Sequence, residues 1–102
     1  MLERLTIDTF SPLLGDPFML HLDATRTMVV ELAEVTDLSV AARSTPPDGQ
    51  RTPFSIVFRG ASDAVLAQGI YRLEHAALGS FEPFLVTIGQ DAGGMRYEAV
   101  FT

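Results

Sequence analysis

The feature that most constrains this chain is the alternation of apolar and polar residues over short stretches. Apolar side chains recur at every second position in Phe18–Leu22, in Phe54–Arg59 and in Met95–Phe101. This is the period at which side chains share one face of a β-strand. Clusters of Gly, Pro, Asp and Ser stand between such stretches, as they do in turns. The pattern predicts a mainly β chain in which most strands bury one face.

The longest predicted strand, Thr27–Leu38, changes its apolar phase part-way along. Alternate apolar side chains reach Leu32, and the next apolar position that fits is Val35. A slip of one residue indicates a β-bulge near Ala33 or Glu34, or a strand that passes from one sheet to another. Six strands are predicted in all, and the other five span residues 18–22, 54–59, 70–75, 81–88 and 95–101.

A short helix is predicted ahead of the first strand. Asp8 or Thr9 is a suitable N-cap, Pro12 suits the first turn, and Gly15 stands where a C-terminal glycine would. One apolar face is formed by Phe10, Leu13 and Leu14. Because so short a helix is unstable alone in water, we expect it to pack on the sheet.

The chain of 102 residues has the size of a single domain, so residues 1–102 are taken as one unit. Residues 43–53 hold three prolines and no apolar periodicity, which predicts a long hairpin loop or a flap. Short connections favour antiparallel neighbours. We therefore expect a small six-stranded antiparallel barrel whose open end is capped by the helix, with a two-sheet sandwich as the alternative.

Composition excludes several kinds of chemistry. The chain has no Cys, so disulfides, thiolate metal sites and thiol nucleophiles are absent. All seven basic residues are Arg, which removes lysine chemistry. A net charge of −6 argues against nucleic acid or an anionic membrane as a partner. The opening residues lack the apolar run of a signal peptide, and no stretch is long enough to span a membrane, so a cytoplasmic location is predicted.

No catalytic, cofactor or metal site is predicted. The histidines, His21 and His75, lie on separate predicted strands without a metal-binding spacing. No Gly-x-Ser-x-Gly nucleophile motif is present. The glycine-rich segment 89–94 lies between two strands, so it predicts a hairpin turn and not a phosphate loop. A hydrolase or isomerase that uses one of the histidines with a carboxylate stays as a third hypothesis.

Two Arg-x-Glu segments place charged residues on the outward face of the predicted strands. A solvated surface with weak ion pairs explains them, since exposed pairs contribute only about 0–1 kcal/mol each. A binding face is the functional alternative, and apolar residues at loop tips would extend it. The predicted interaction surface comprises Arg59, Arg72, Glu74, Arg96, Glu98, Val65 and Leu66.

The aromatic residues are expected to pack in the core, because small barrels fill their interior with side chains. In the predicted strand 81–88, Phe84, Val86 and Ile88 share one face. Should the interior be hollow, the same aromatics would line a cavity, which makes a small-ligand-binding barrel the alternative function. This aromatic set is Tyr71, Tyr97, Phe54, Phe58, Phe81, Phe84 and Phe101.

Four strand segments and the opening Leu2-x-x-Leu5-Thr6-x-x-x-Phe10 carry a resemblance over nearly the whole chain. The segments are Phe54–Gly60, Gln68–His75, Phe84–Gly89 and Met95–Phe101. Together they resemble a small bacterial domain family of unknown function, about 100 residues long, associated with phage-tail-collar (microcystin-dependent-protein-like) fibre genes.

The resemblance implies an accessory or assembly factor for a tail-like fibre protein, and it transfers no site residue. The leading hypothesis is therefore a non-enzymatic structural or protein-interaction module. Such a module would bind a protein partner or a second copy of itself, and exposed strand edges would serve for strand addition.

Overall fold

The computed structural model describes residues 5–38, 53–61 and 66–101. The described part contains a helix, α1 (Ile7–Phe10), followed by a 3-10 turn (Ser11–Leu13). The strands are β1 (Pro17–His21), β2 (Thr27–Asp37), β3 (Phe54–Gly60), β4 (Gly69–Ile70), β5 (Arg72–His75), β6 (Gly79–Phe81), β7 (Phe84–Asp91) and β8 (Gly94–Phe101). They form one antiparallel sheet in the order β4-β7-β8-β3-β2-β1-β5-β6. The mainly β fold with one short helix is thus confirmed, as a single sheet rather than a sandwich. The predicted loop at residues 43–53 lies, apart from Pro53, outside the described residues.

The six-stranded barrel is wrong in both strand number and closure. The predicted strand 70–75 divides at Tyr71 into β4 and β5, and the predicted strand 81–88 divides at Pro83 into β6 and β7. The pair β4–β7 lies at one end of the strand order and the pair β5–β6 at the other. Pro83 has no N–H to donate to a ladder, although its carbonyl accepts a hydrogen bond from the Tyr71 N–H at 3.2 Å. The end strands β4 and β6 are not paired with each other in the described part of the chain, so the sheet is open.

The predicted bulge in β2 is confirmed. Leu32 pairs with Phe58 and Glu34 pairs with Val57, so Ala33 is the extra residue on its strand. The bulge restores the apolar phase, because it lets side chains on both sides of it face the core.

Helix α1 packs on the core through one aromatic side chain. Phe10 is fully buried, and its ring centroid lies 5.9 Å from that of Phe54, 5.5 Å from Phe81 and 5.8 Å from Phe101. The N-cap is Thr6, whose N–H donates to Thr9 Oγ1 at 3.0 Å, and not Asp8 or Thr9 as expected. The interior rings thus contact one another, which favours core packing over a ligand cavity.

The outward side of β7 differs from the expected core. Phe84, Val86 and Ile88 do share a face, but it is the outer one, and Phe84 is 51% exposed. Leu85 and Phe81 are buried instead. Both faces of this stretch carry apolar residues, so alternation alone does not decide which of them meets the core. Within the described residues, no helix is long and apolar enough to cross a membrane.

Candidate functional site

One charged cluster lies where β3, β8 and the β7–β8 turn meet. Arg59 and Arg96 are cross-strand partners. Asp91 Oδ2 lies between them, 3.2 Å from Arg59 Nη2 and 3.6 Å from Arg96 Nε. Glu31 lies 3.8 Å from Arg59, and Glu34 forms an ion pair with Arg96. The hydrogen bond from Arg59 is the main cause that lowers the pKa of Asp91. Three carboxylates thus compensate two guanidinium groups, and the cluster has no excess positive charge for an anion.

The backbone of the β7–β8 turn requires glycine. Gly94 has a φ of +134°, and a Cβ there would stand 1.9 Å from Gly60 O. Asp91 Oδ1 also accepts a hydrogen bond from the Gly93 N–H at 2.8 Å. The predicted hairpin turn is therefore confirmed.

A second cluster lies on the outer face of β1 and β5. His21 and Arg72 are cross-strand partners, and Met19 is the partner of Glu74. His21 Nε2 is hydrogen-bonded to Glu74 Oε1, and His21 Nδ1 lies 3.4 Å from Arg72 Nη2. Arg72 Nη2 is itself 3.9 Å from Glu74 Oε1. A proton on His21 Nε2 satisfies both contacts of the ring.

His75, next along β5, has both ring nitrogens engaged. Its Nδ1 accepts hydrogen bonds from the Ala77 N–H at 3.0 Å and the Leu78 N–H at 3.2 Å. Its Nε2 lies 2.9 Å from Asp16 Oδ2, and the side chain is 8% exposed. Because two donors meet Nδ1, the ring proton belongs on Nε2, where it is donated to Asp16. This arrangement caps the β5–β6 turn and leaves no free nitrogen to move a proton.

Beside His75 and Glu74 the surface forms an open groove of about 710 Å³. Its floor is apolar and includes Met19 and Val29, which are cross-strand partners on β1 and β2. Glu74 and His75 line one side of it. We call this the β1–β5 groove, lined by Pro17, Phe18, Met19, Val29, Glu74, His75, Ala76 and Gly79.

A family model described as "Domain of unknown function (DUF6916)" matches residues 5–101. The chain belongs to the DUF6916 family. No curated protein and no solved structure matches it. The family description names no function, so a role with tail-fibre proteins stays a proposal for this DUF6916 domain.

The predicted interaction surface of the DUF6916 domain is divided between separate places. Arg59 and Arg96 belong to the first charged cluster, whereas Arg72 and Glu74 belong to the second. The strands β2 and β1 separate β3, which carries Arg59, from β5, which carries Arg72 and Glu74. Glu98 is half-buried on β8, opposite Val57 and Val86. Leu66 is half-buried against the core, and Val65 lies outside the described residues.

The sequence prediction missed an apolar stripe on the outer face of β4, β7 and β8. Ile70 pairs with Phe84, and Phe84 faces Val100 when the register of Val86 with Glu98 is extended by two residues. The exposed fractions are 70% for Ile70, 51% for Phe84 and 54% for Val100. We call these three residues the apolar row. The sequence did show that residues 84, 86 and 88 share one face of a strand. It did not show that this face is the one exposed to solvent.

Proposed function

We propose that this DUF6916 domain is a non-enzymatic protein-interaction module that assembles through the apolar row, and that a second copy of the chain is the partner. The observation that carries the proposal is the exposure of Ile70, Phe84 and Val100 on three neighbouring strands. Contiguous exposed apolar residues on a small domain are typical of a protein-binding surface. Burying such a side chain fully contributes about 1.5–3 kcal/mol.

The residues that continue the line of the apolar row across the sheet are also uncharged. From Val100 the register continues to Ser55 on β3 and to Thr36 on β2. Two residues further along the strands, the next row across the sheet contains Glu98 and Glu34. Two residues beyond that lie Arg96 and Arg59 of the charged cluster. A partner that packs on the apolar row itself therefore needs an apolar surface, because Ile70, Phe84 and Val100 offer no charge to pair with.

A second copy of the chain supplies such a surface without a further assumption. In a two-fold arrangement the same patch contacts itself, so apolar row would pack on apolar row. The formal charge of −6 on each copy opposes this approach. Added salt screens that repulsion, and we therefore expect association to strengthen as ionic strength rises.

Sedimentation velocity from micromolar to near-millimolar concentration tests the proposal. The wild-type chain should show a concentration-dependent dimer that Phe84→Glu and Ile70→Glu abolish. Leu14→Glu is the matched control, since Leu14 is 49% exposed, follows the 3-10 turn outside the apolar row, and should leave the dimer intact. A wild-type monomer over the whole range contradicts the proposal, as does a dimer that Phe84→Glu leaves unchanged.

We favour the sheet face over the sheet edges that the sequence suggested. The edge strand β4 has two residues and the edge strand β6 has three, which offers little backbone for strand addition. The role of an accessory factor for a phage-tail-like fibre is a finer form of the proposal, supported by the sequence resemblance. Co-purification of such a fibre protein with the wild-type chain, and its loss with Phe84→Glu but not with Leu14→Glu, would support it.

A further inference from the structure

We propose that the β1–β5 groove binds an arginine side chain of a partner protein, as a second site separate from the apolar row. The floor of the groove suits the aliphatic stem of such a side chain. Val29 is 60% exposed and Met19 is 38% exposed, and they lie side by side on β1 and β2. Long basic side chains place their methylene groups on apolar surface of this kind while the charged end stays in water.

Carboxylates stand around this apolar floor. Glu74 lines the groove, and Asp16 precedes the lining residue Pro17 and contacts the lining residue His75. The side chains of Glu74 and Asp16 are 47% and 44% exposed. The surroundings therefore favour a cation over a neutral or acidic ligand.

The positive groups nearby leave room for an incoming guanidinium. Arg72 approaches Glu74 only to 3.9 Å, so the two do not form a close pair. His75 accepts two N–H groups at Nδ1 and contacts Asp16 through Nε2, so its ring carries one proton and adds no positive charge.

Two carboxylate oxygens are also available to a ligand. Among the described residues, the contacts of Glu74 use Oε1 and the contact of Asp16 uses Oδ2. Glu74 Oε2 and Asp16 Oδ1 are therefore free to accept hydrogen bonds. A charge-assisted hydrogen bond from a guanidinium to a carboxylate is stronger than one from a neutral group. Arginine therefore fits this site better than a neutral polar side chain does.

Butylguanidinium is the probe, because it carries the stem and the charged end of arginine. Butylurea is its uncharged match in shape. Each is titrated into the full ¹⁵N-labelled chain while the backbone amide shifts of residues 18–19, 29 and 74–79 are followed. We expect saturable shifts at these amides with butylguanidinium, weakened by salt, and affinity lower by roughly tenfold with butylurea, which lacks the charge-assisted bond.

Variants locate the site. Glu74→Gln should weaken butylguanidinium binding several-fold, and Met19→Ser should weaken both probes, whereas the exposed control Glu82→Gln should change neither. Equal affinities for the two probes would overturn the proposal. So would shifts spread evenly over the acidic surface, or equal effects of Glu74→Gln and Glu82→Gln. Phe84→Glu should leave this binding unchanged, so the groove and the apolar row are tested separately.

Discussion

The side chain of Arg59 lies across the backbone of Gly93 so closely that a Cβ at position 93 would stand 2.5 Å from Arg59 Cδ. The guanidinium continues to Asp91, which begins the same turn. The glycine therefore makes room for the side chain that joins β3 to the β7–β8 hairpin. This contact explains the glycine at position 93, which the sequence alone assigned only to turn geometry.

Substitution by alanine should destabilise the fold most at Gly94, less at Gly93 and least at Gly69. Gly94→Ala meets the backbone oxygen of Gly60 in a left-handed conformation, so we expect a loss of about 3 kcal/mol or more in unfolding free energy. Gly93→Ala displaces only the Arg59 side chain and should cost about 1–2 kcal/mol. Gly69→Ala meets nothing within 4 Å and is the matched control. Urea denaturation measures all three, and an equal loss at Gly69 and Gly94 would contradict this account.

Phe10 should be the residue through which α1 stabilises the sheet. Phe10→Ala removes a fully buried ring that contacts three others, so we expect a loss of about 3–5 kcal/mol in unfolding free energy. Leu14→Ala, at a side chain that is 49% exposed, should cost less than about 1 kcal/mol. Thermal unfolding followed by circular dichroism compares the two variants. A small effect of Phe10→Ala would mean that the helix does not anchor the core.

His75 should act as a turn cap with its proton on Nε2. His75→Phe leaves the Ala77 and Leu78 N–H groups without their acceptor, and we expect a loss of about 1–3 kcal/mol in unfolding free energy. His75→Asn keeps an acceptor oxygen and should lose less. Ring ¹⁵N shifts in the wild type should show the proton on Nε2. A proton on Nδ1 would rule out the arrangement described.

Asp23 should make the free energy of unfolding depend on pH in the acid range. Hydrogen bonds from the Thr25 backbone N–H, and then from the Arg26 side chain, lower the pKa of Asp23 from 3.8 to about 2. A carboxyl whose pKa falls on folding stabilises the folded state above its unfolded pKa, and this contribution is lost as pH falls from 3.8 towards 2. A carboxyl ¹³C titration should show the low pKa directly.

The matched variants for this titration are Asp23→Asn and Thr25→Ala. Asp23→Asn should flatten the decline in stability over that pH interval. Thr25→Ala keeps the backbone N–H that is the main cause of the shift, so the decline should largely persist. An unchanged pH profile in Asp23→Asn would show that other carboxylates govern acid unfolding.

Local pattern was sufficient for the strands and for the bulge at Ala33, because both depend on which side chains share a face. It was insufficient where two faces compete, as at Phe84 and Leu85, and where a strand divides, as at Tyr71. The division depends on pairing between distant segments, such as Met19 with Glu74, which no local period encodes.

The candidate site was harder to predict for the same reason. Asp16 and His75 are 59 residues apart in sequence, and His21 and Glu74 are 53 apart, so their pairing exists only in the folded sheet. Cross-strand register brings them together, and the sequence shows only that histidines and carboxylates are present.

The single residue between β4 and β5 has a kinetic consequence. Tyr71 joins β4, at one end of the strand order, to β5, which lies next to the other end, so one residue links the two end pairs. The chain must also bring distant segments together early, as in the ladder of β3 with β8 that pairs Phe54 with Phe101. Such non-local topology is typical of folding in milliseconds to seconds. We expect one cooperative transition, in which the amides of both end pairs exchange with solvent only through global unfolding.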